Sequence, residues 1–521
     1  MFYNSKTEET GKMGYKQISL RLPAGYDEAF LKKLIRRKTG LTDFSYTIEN
    51  KSLDARDKRD IRWQIRVLVF SKKISGDEKP AKELLNIPFK KRDEKVVVAG
   101  SGPAGFFAAF VLQQAGFNVT IIERGSEVNK RARGIARFES TGIFDPVSNY
   151  AFGEGGAGTF SDGKLTSRSK RISAEKQFIL SSYIAAGAPA EIEYMTHPHL
   201  GSDNLKRIVV NLRKRFVELG GTFLFETVMT DISVKSGKVT AVDTNKGLMD
   251  TDHLLVAPGH SAYDTYRMLI KRGVGFHPKN FAIGSRMEHR QEIINIAQWG
   301  VPALPGVKAA EYRLTSKGDG HQHVYSFCMC PGGVIVPATP VKEANIVNGM
   351  SRYQRDEQYA NAALAASFNP EKMIRPGVDA LEILDWMEKL ENSFYRFSQG
   401  YKAPYCSIQD FIRGKLTRSY ETSSYPMGIG QAPLWEMLPA GTATAMRAGL
   451  KDFIRKMKGF ATGNIIGLES KTSAPIQVDR DKSGKCAGFD NLYVIGEGSG
   501  YAGGIVSSAA DGIKVALGLC R

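Results

Sequence analysis

The chain has 521 residues, of which 42% are hydrophobic and 24% charged, and a formal net charge of +18. That length exceeds what one hydrophobic core serves and predicts roughly two to four domains, while the composition is that of a globular protein and excludes a disordered or fibrous chain. The positive charge admits a nucleic-acid partner, yet it is spread along the sequence rather than blocked, which favours a solvated basic surface and cations facing phosphates. Five cysteines without an even framework fit a reducing compartment, so the cytoplasm is the expected location. The opening residues carry no apolar core and no cleavage signal, and no secretory leader is expected. Val96 to Ile122 is uncharged and of spanning length, but its glycines, Pro103 and the Gln113-Gln114 pair argue against a membrane segment.

Residues 1–92 read as a small basic α+β domain. Ile18, Leu20 and Leu22 alternate as a strand, and Leu31, Leu34 and Ile35 recur at helical spacing before Gly40. Phe44, Tyr46 and Ile48 alternate again, and Trp63, Ile65, Val67 and Val69 share one face of a further strand. The β-α-β-β order predicts a ferredoxin-like module, joined by the polar stretch SGDEKPAKELLN to the next domain.

Residues 93–275 open with KVVVAGSGPAGFFAAFVLQQAGFNVTIIE: a strand, a glycine turn, a helix and a second strand ending in an acid. Gly100 permits the tight turn, Gly102 lets backbone approach a pyrophosphate, and Gly105 lets helix and strand pack closely. Pro103 and Ala104 begin the helix, whose N-terminus faces the phosphates. Glu123, followed by Arg124, ends the second strand where a carboxylate accepts ribose hydroxyls. An adenine dinucleotide is therefore expected here. The loop FGEGGAGTFSDGK offers Gly156 and Gly158 with Asp162 and Lys164 as a backbone nest for the same cofactor. Helices follow near 174–187 and 203–219, then short strands from Thr222 to Val256 and the segment HLLVAPGHSA. Residues 276–460 change character, with mixed strands and an amphipathic helix near 441–457, and read as an inserted substrate or cap domain. Residues 461–521 return to glycine-rich apolar sequence, with a strand at 492–496 and a small-residue helix from about Gly504. The fold class is thus α/β: a discontinuous Rossmann-like domain, an inserted α+β domain and the small N-terminal one.

The segment around Gly496, Glu497, Gly503, Gly504 and Ile505 resembles the second flavin fingerprint of two-dinucleotide-fold flavoproteins. The resemblance implies that the acid bonds a ribityl hydroxyl and that the following helix points at the flavin pyrimidine ring. Glu497 stands where an aspartate is usual, which adds a methylene. HLLVAPGHSA resembles the intermediate ATG-like motif of the same superfamily, with Pro258 in place of threonine. GGAGTFSDGKL, FCMCPGG, NGMS, GLESKTSAPI, GEGSGYAGGIVSSAADGI and SLDARDK together resemble a bacterial family of uncharacterised FAD-dependent dehydrogenases. What this implies is non-covalent FAD, a glutathione-reductase-like flavin fold and an FAD-dependent oxidoreductase. Hydride would pass between flavin N5 and a small-molecule substrate that the likeness does not identify.

For the chemistry beside the flavin, Cys330, His289 and Arg286 are the candidate catalytic residues. Cys328 and Cys330 could be a redox pair or plain packing, since C-x-C closes a small strained ring. His289 could donate a proton, and Arg286 could meet an anionic substrate, although alternation with Glu288 and Arg290 equally describes a solvated salt-bridged strand. His321 and His323 with the cysteines do not match usual zinc spacing, and no metal is expected. No second G-x-G-x-x-G leads into a helix, strand and acid, so NAD(P)H would act only as a transient reductant. Two alternatives remain: an RNA-associated flavoenzyme of the tRNA-modification type, motivated by the basic N-terminal module, and a non-catalytic flavin sensor.

Overall fold

Five short strands form a parallel sheet in the order Leu492–Val494, His253–Val256, Lys95–Ala99, Asn118–Ile122 and Thr222–Leu224. This is a computed structural model, and it describes residues 14–75, 84–167, 169–418 and 422–521. Successive side chains of these strands go to opposite faces. Val96, Val98, Val119 and Ile121 face a core with Phe106, Phe107, Phe178, Tyr183 and Phe216, whereas Val97, Ala99, Ile122 and Val256 face a second core. Burial on both faces explains the unbroken apolar runs in the sequence. A three-stranded antiparallel meander, Met229–Lys235, Lys238–Thr244 and Gly247–Asp250, lies beside the second core.

Two helices more than 380 residues apart close the first core (505 − 114 = 391). Pro103–Gln114 starts at Gly102 with Pro103 in its first turn, where a missing N–H costs nothing. Ile505–Leu519 starts at Gly504. They pack backbone to backbone, because a Cβ at Gly512 would stand 2.2 Å from the Ala104 carbonyl oxygen. Small residues at this crossing are what seat the tail on the glycine-turn helix.

The chain leaves the parallel sheet through Phe276–Pro278 and returns through Ile476–Val478, which pair antiparallel. Between them lies an eight-stranded sheet with Phe281–Arg290, Val324–Pro337, Tyr359–Phe368 and Asn464–Glu469 at its centre. Helices Ala380–Ser398 and Ala440–Lys456 cover it. The expected boundary at 460 is therefore corrected: Asn464–Glu469 pairs with Phe281–Arg290 and Ala403–Ser407 inside the inserted sheet. An apolar run alone does not say which sheet it joins.

The N-terminal module has strands Tyr15–Pro23, Ser45–Asp54 and Arg62–Phe70 in an antiparallel sheet with the last strand central. Helix Glu28–Thr39 covers it, capped by the Asp27 side chain on Phe30 N and stopped at Gly40, whose φ is 72°. These are the first four of the six elements of a ferredoxin-like order. Among the described residues the next strand is Lys95–Ala99 of the parallel sheet, so no second helix and fourth strand complete the module. It docks through Lys51, whose N–H donates to Tyr194 O and whose carbonyl accepts from Thr196 N. Lys58 donates to Ala297 O at 2.7 Å, tying the module to the inserted domain as well. Among the described residues, no helix is long and apolar enough to cross a membrane.

Candidate active site

One cavity of about 1700 Å³ runs between the parallel sheet and the inserted sheet. Its inner end is built from the glycine turn, the loop at 153–164, the 256–262 segment and the start of the C-terminal helix. The glycines here answer whether a dinucleotide fits. A Cβ on Gly102 would meet only Gly156 Cα at 3.7 Å, and on Gly503 or Gly504 it would meet nothing within 4 Å, so all three present bare backbone to the cavity. Gly105 instead serves packing, since its Cβ would lie 1.9 Å from Gly100 O. Gly100 holds φ of 106° at the turn itself. Both helices that start here have no side-chain cap and no acid in the first turn. Their free N–H groups and positive ends suit a pyrophosphate at one and an electron-rich ring at the other.

Glu123 lines the cavity with its carboxylate already engaged. Its carboxylate accepts from the N–H groups of Ser101, Gly125 and Gly153 and from the Ser101 hydroxyl. Those bonds fill the roughly four lone-pair sites of a carboxylate. Its first role is to tie the glycine turn to the 153 loop, and a ribose contact requires one of these bonds to open. Arg124 stacks over Phe152 at 4.3 Å and pairs with Asp264 at 2.6 Å on the cavity wall.

The glycine loop is set by a residue the sequence did not announce. Arg131, fully buried, donates to the carbonyls of Asn149, Tyr150, Glu154 and Gly156 and lies 4.7 Å over the Phe160 ring. Burial pushes its pKa down to about 10, with the Glu123 and Glu154 charges opposing. Asp162 and Lys164 border the cavity, but both also reach the inserted sheet. Asp162 pairs with Arg355 at 2.7 Å and accepts from the Ser351 hydroxyl. Burial works against its charge, yet Arg355 and then Lys164 win and hold the carboxyl well below the usual range. Lys164 Nζ donates to Met329 O. These two side chains therefore clamp the domains together rather than serving a cofactor alone.

At the far inner end, Glu497 and Ile505 line the cavity beside Gly496 in the turn Gly496–Ser499. Burial pushes the Glu497 carboxyl up to about 7, against Lys279 and the Gly504 N–H. Lys471, also on the wall, donates to Tyr263 Oη at 2.6 Å and pairs with Glu391 at 2.8 Å.

The three expected catalytic residues are redistributed. Phe281–Arg290 is buried along both faces, so its charged residues are not a solvated row. Arg286 is fully buried and does not border the cavity: it bonds Asn361, Asn348, both Glu469 oxygens and Cys328 O. His289 is buried away from the cavity, with Nε2 2.8 Å from Phe460 O, and burial lowers its pKa to about 4. It is a core residue. Cys330 is buried behind the wall, and Cys328 is the thiol that faces the cavity. His323 borders the outer end, whereas His321 lies on an exposed turn capped by Asp319. Glu469 and Lys471 had a signal in the sequence, since both fall in GLESKTSAPI, but nothing there gave them a role.

Two family models match. Residues 93–242 match the FAD binding domain, and residues 280–472 match the FAD-dependent protein, C-terminal domain-like model. An uncharacterized protein of Clostridium beijerinckii is 39% identical over 526 residues, spanning 97% of this chain and 98% of that one. Among solved structures, a salicylate hydroxylase substrate complex has a TM-score of 0.36 at 11% identity, over 82% of this chain and 79% of that one. Glycine oxidase from Bacillus cereus ATCC 14579 has 0.32 at 12%, over 81% and 94%. Fold and site together define an FAD-dependent oxidoreductase, with FAD as its cofactor. The chain belongs to the family of FAD-dependent proteins that those two models and the clostridial relative represent.

Proposed function

We propose that the protein transfers a hydride between N5 of bound FAD and a planar, negatively charged small molecule held beneath the inserted sheet. The flavin supplies the redox chemistry when bound, and the chain supplies position and electrostatics. The observation that carries this reading is the size and lining of the cavity. Its volume of about 1700 Å³ exceeds the roughly 300–1,000 Å³ of a single small-molecule site. The outer lining comes from the inserted domain and includes Tyr312, Tyr325 and Phe327 with Arg313, Lys317 and Lys456. The neighbouring acids are engaged elsewhere, Asp452 with Ser316 and Arg455 and Glu311 with Arg355. Aromatic faces beside three cations favour a planar anion.

The helix Ile505–Leu519 aims its positive end into the inner cavity, where it stabilises negative charge on a reduced ring. Parallel sheet and three-stranded meander support a glutathione-reductase-like arrangement of the flavin domain. NADPH and NADH are anionic through their phosphates and carry a transferable hydride on a flat nicotinamide ring. Anaerobic mixing of the oxidised holoprotein with each is expected to bleach the flavin absorbance, more slowly when the nicotinamide C4 hydride is deuterium. Bleaching with neither coenzyme, or equal rates for the two isotopes, contradicts the reading.

A further inference from the structure

Three cysteines behave as packing residues: Cys406, Cys486 and Cys520 are buried, and burial raises each thiol. Cys328 and Cys330 do not fit that description. The strand Val324–Pro337 pairs Phe327 with Ala363 and Cys330 with Asn361, so Cys328 and Met329 together oppose Ala362 in a β-bulge next to Cys330. Cys328 sits at φ of 44°, a left-handed conformation that a non-glycine residue adopts at a cost. In a flat strand, residues two apart are near the limit for bridging. Across the left-handed kink, the Cys330 thiol donates to Cys328 O at 3.5 Å.

Several polar groups of the kink are held. Arg286 Nη2 donates to Cys328 O at 2.6 Å and to Cys330 Sγ at 3.4 Å. Lys164 donates to Met329 O, and Tyr312 N–H donates to Met329 Sδ at 2.9 Å. Strain of this kind persists only where the surroundings over-determine it, and here two side chains and one backbone group do so. Cys328 then opens onto the same cavity as Glu497 and the start of the C-terminal helix.

We propose that Cys328 and Cys330 form a redox-active dithiol that exchanges two electrons with the FAD bound in the same cavity. The Cys330 thiol bonded to Cys328, together with Arg286 and Lys164, lowers the Cys328 pKa against the cost of burial, whereas Cys330 is raised. Cys328 is therefore the thiol that loses its proton first, to solvent, and the step proceeds from that thiolate. When the S–S bond forms, the S–H bond of Cys330 breaks, and its proton and two electrons go to the oxidised flavin. Charge and atoms balance with no further reactant, and the reverse step reopens the disulfide.

The test uses the holoprotein. After diamide oxidation, denaturation and alkylation with N-ethylmaleimide, mass spectrometry is expected to show two of the five cysteines unlabelled, bridged within one peptide. Anaerobic dithionite titration of that oxidised protein is expected to take up about four electrons per flavin, against about two in Cys328→Ser and Cys330→Ser, since each couple carries two electrons. Cys328 faces the cavity, so its variant keeps the test valid if the buried Cys330→Ser misfolds. Full labelling of all five thiols, or uptake of about two electrons by the oxidised wild type, overturns the proposal. Bound flavin with two-electron uptake removes this pair alone, whereas a protein that binds no flavin removes the hydride reading with it.

Discussion

The two ends of the cavity are built from different materials. At the inner end the surface toward the cofactor is backbone: glycines without Cβ neighbours and the uncapped starts of two helices. At the inserted-sheet end it is side chains, positioned by buried ion networks such as Arg286–Glu469 and Arg355–Asp162. Backbone amides suit a constant ligand, because the donors are fixed by secondary structure and carry no desolvated charge. Side-chain networks suit chemistry that differs between relatives, because one substitution re-aims them. The price is fragility: an isolated half of a buried pair is far worse than no pair.

That contrast predicts different failures at the two ends. Arg286→Ala leaves Glu469 buried and unpaired and is expected to cost about 3–5 kcal/mol of stability, seen as a lower denaturant midpoint. Unchanged unfolding would mean the network is not what supports the sheet. Gly102→Val should do the reverse, leaving the apo-protein's unfolding near wild type while a steric cost of about 1–3 kcal/mol weakens FAD roughly 5- to 150-fold. Glu497 gives a pH signature. Its folded pKa of about 7 lies above the ordinary 4.5, so the native state binds the extra proton in that window. Stability of the apo-protein is greatest below about pH 4.5 with respect to this group and falls as pH rises toward 7. Glu497→Gln should remove that slope in a series of thermal melts, and a slope that persists would assign it elsewhere. Smallest of all, Lys58→Ala on the surface of the N-terminal module should change stability by no more than about 0.5 kcal/mol and leave the flavin spectrum alone.

The same contrast explains what could be read in the sequence. The glycine turn, both helix starts and the alternating strands of the N-terminal module are local signals, carried by neighbours a few residues apart. Arg286 and Glu469 meet across 183 positions, and Asp162 and Arg355 across 193, so no spacing announces them. Arg286, Glu288 and Arg290 looked like one face of an exposed strand, because alternation does not show that a central strand is covered on both sides. Arg131 lies in an ordinary-looking basic helix, Val128–Thr141, and only the folded loop reveals the carbonyls it serves. Cys328 rather than Cys330 faces the cavity because of a bulge, which adds one residue and breaks the period of two.

The central claim is that one FAD is held jointly by the turn at 100–105 and the start of the helix Ile505–Leu519. Titrating FAD calorimetrically into apo-protein of the wild type, Gly102→Val and Gly503→Val tests it, because a Cβ at Gly503 meets nothing within 4 Å and one at Gly102 makes only an ordinary contact with Gly156 Cα at 3.7 Å. Both variants should weaken FAD while melting like the wild-type apo-protein. Wild-type affinity in Gly503→Val, with Gly102→Val impaired, would contradict it by removing the C-terminal segment from the cofactor site.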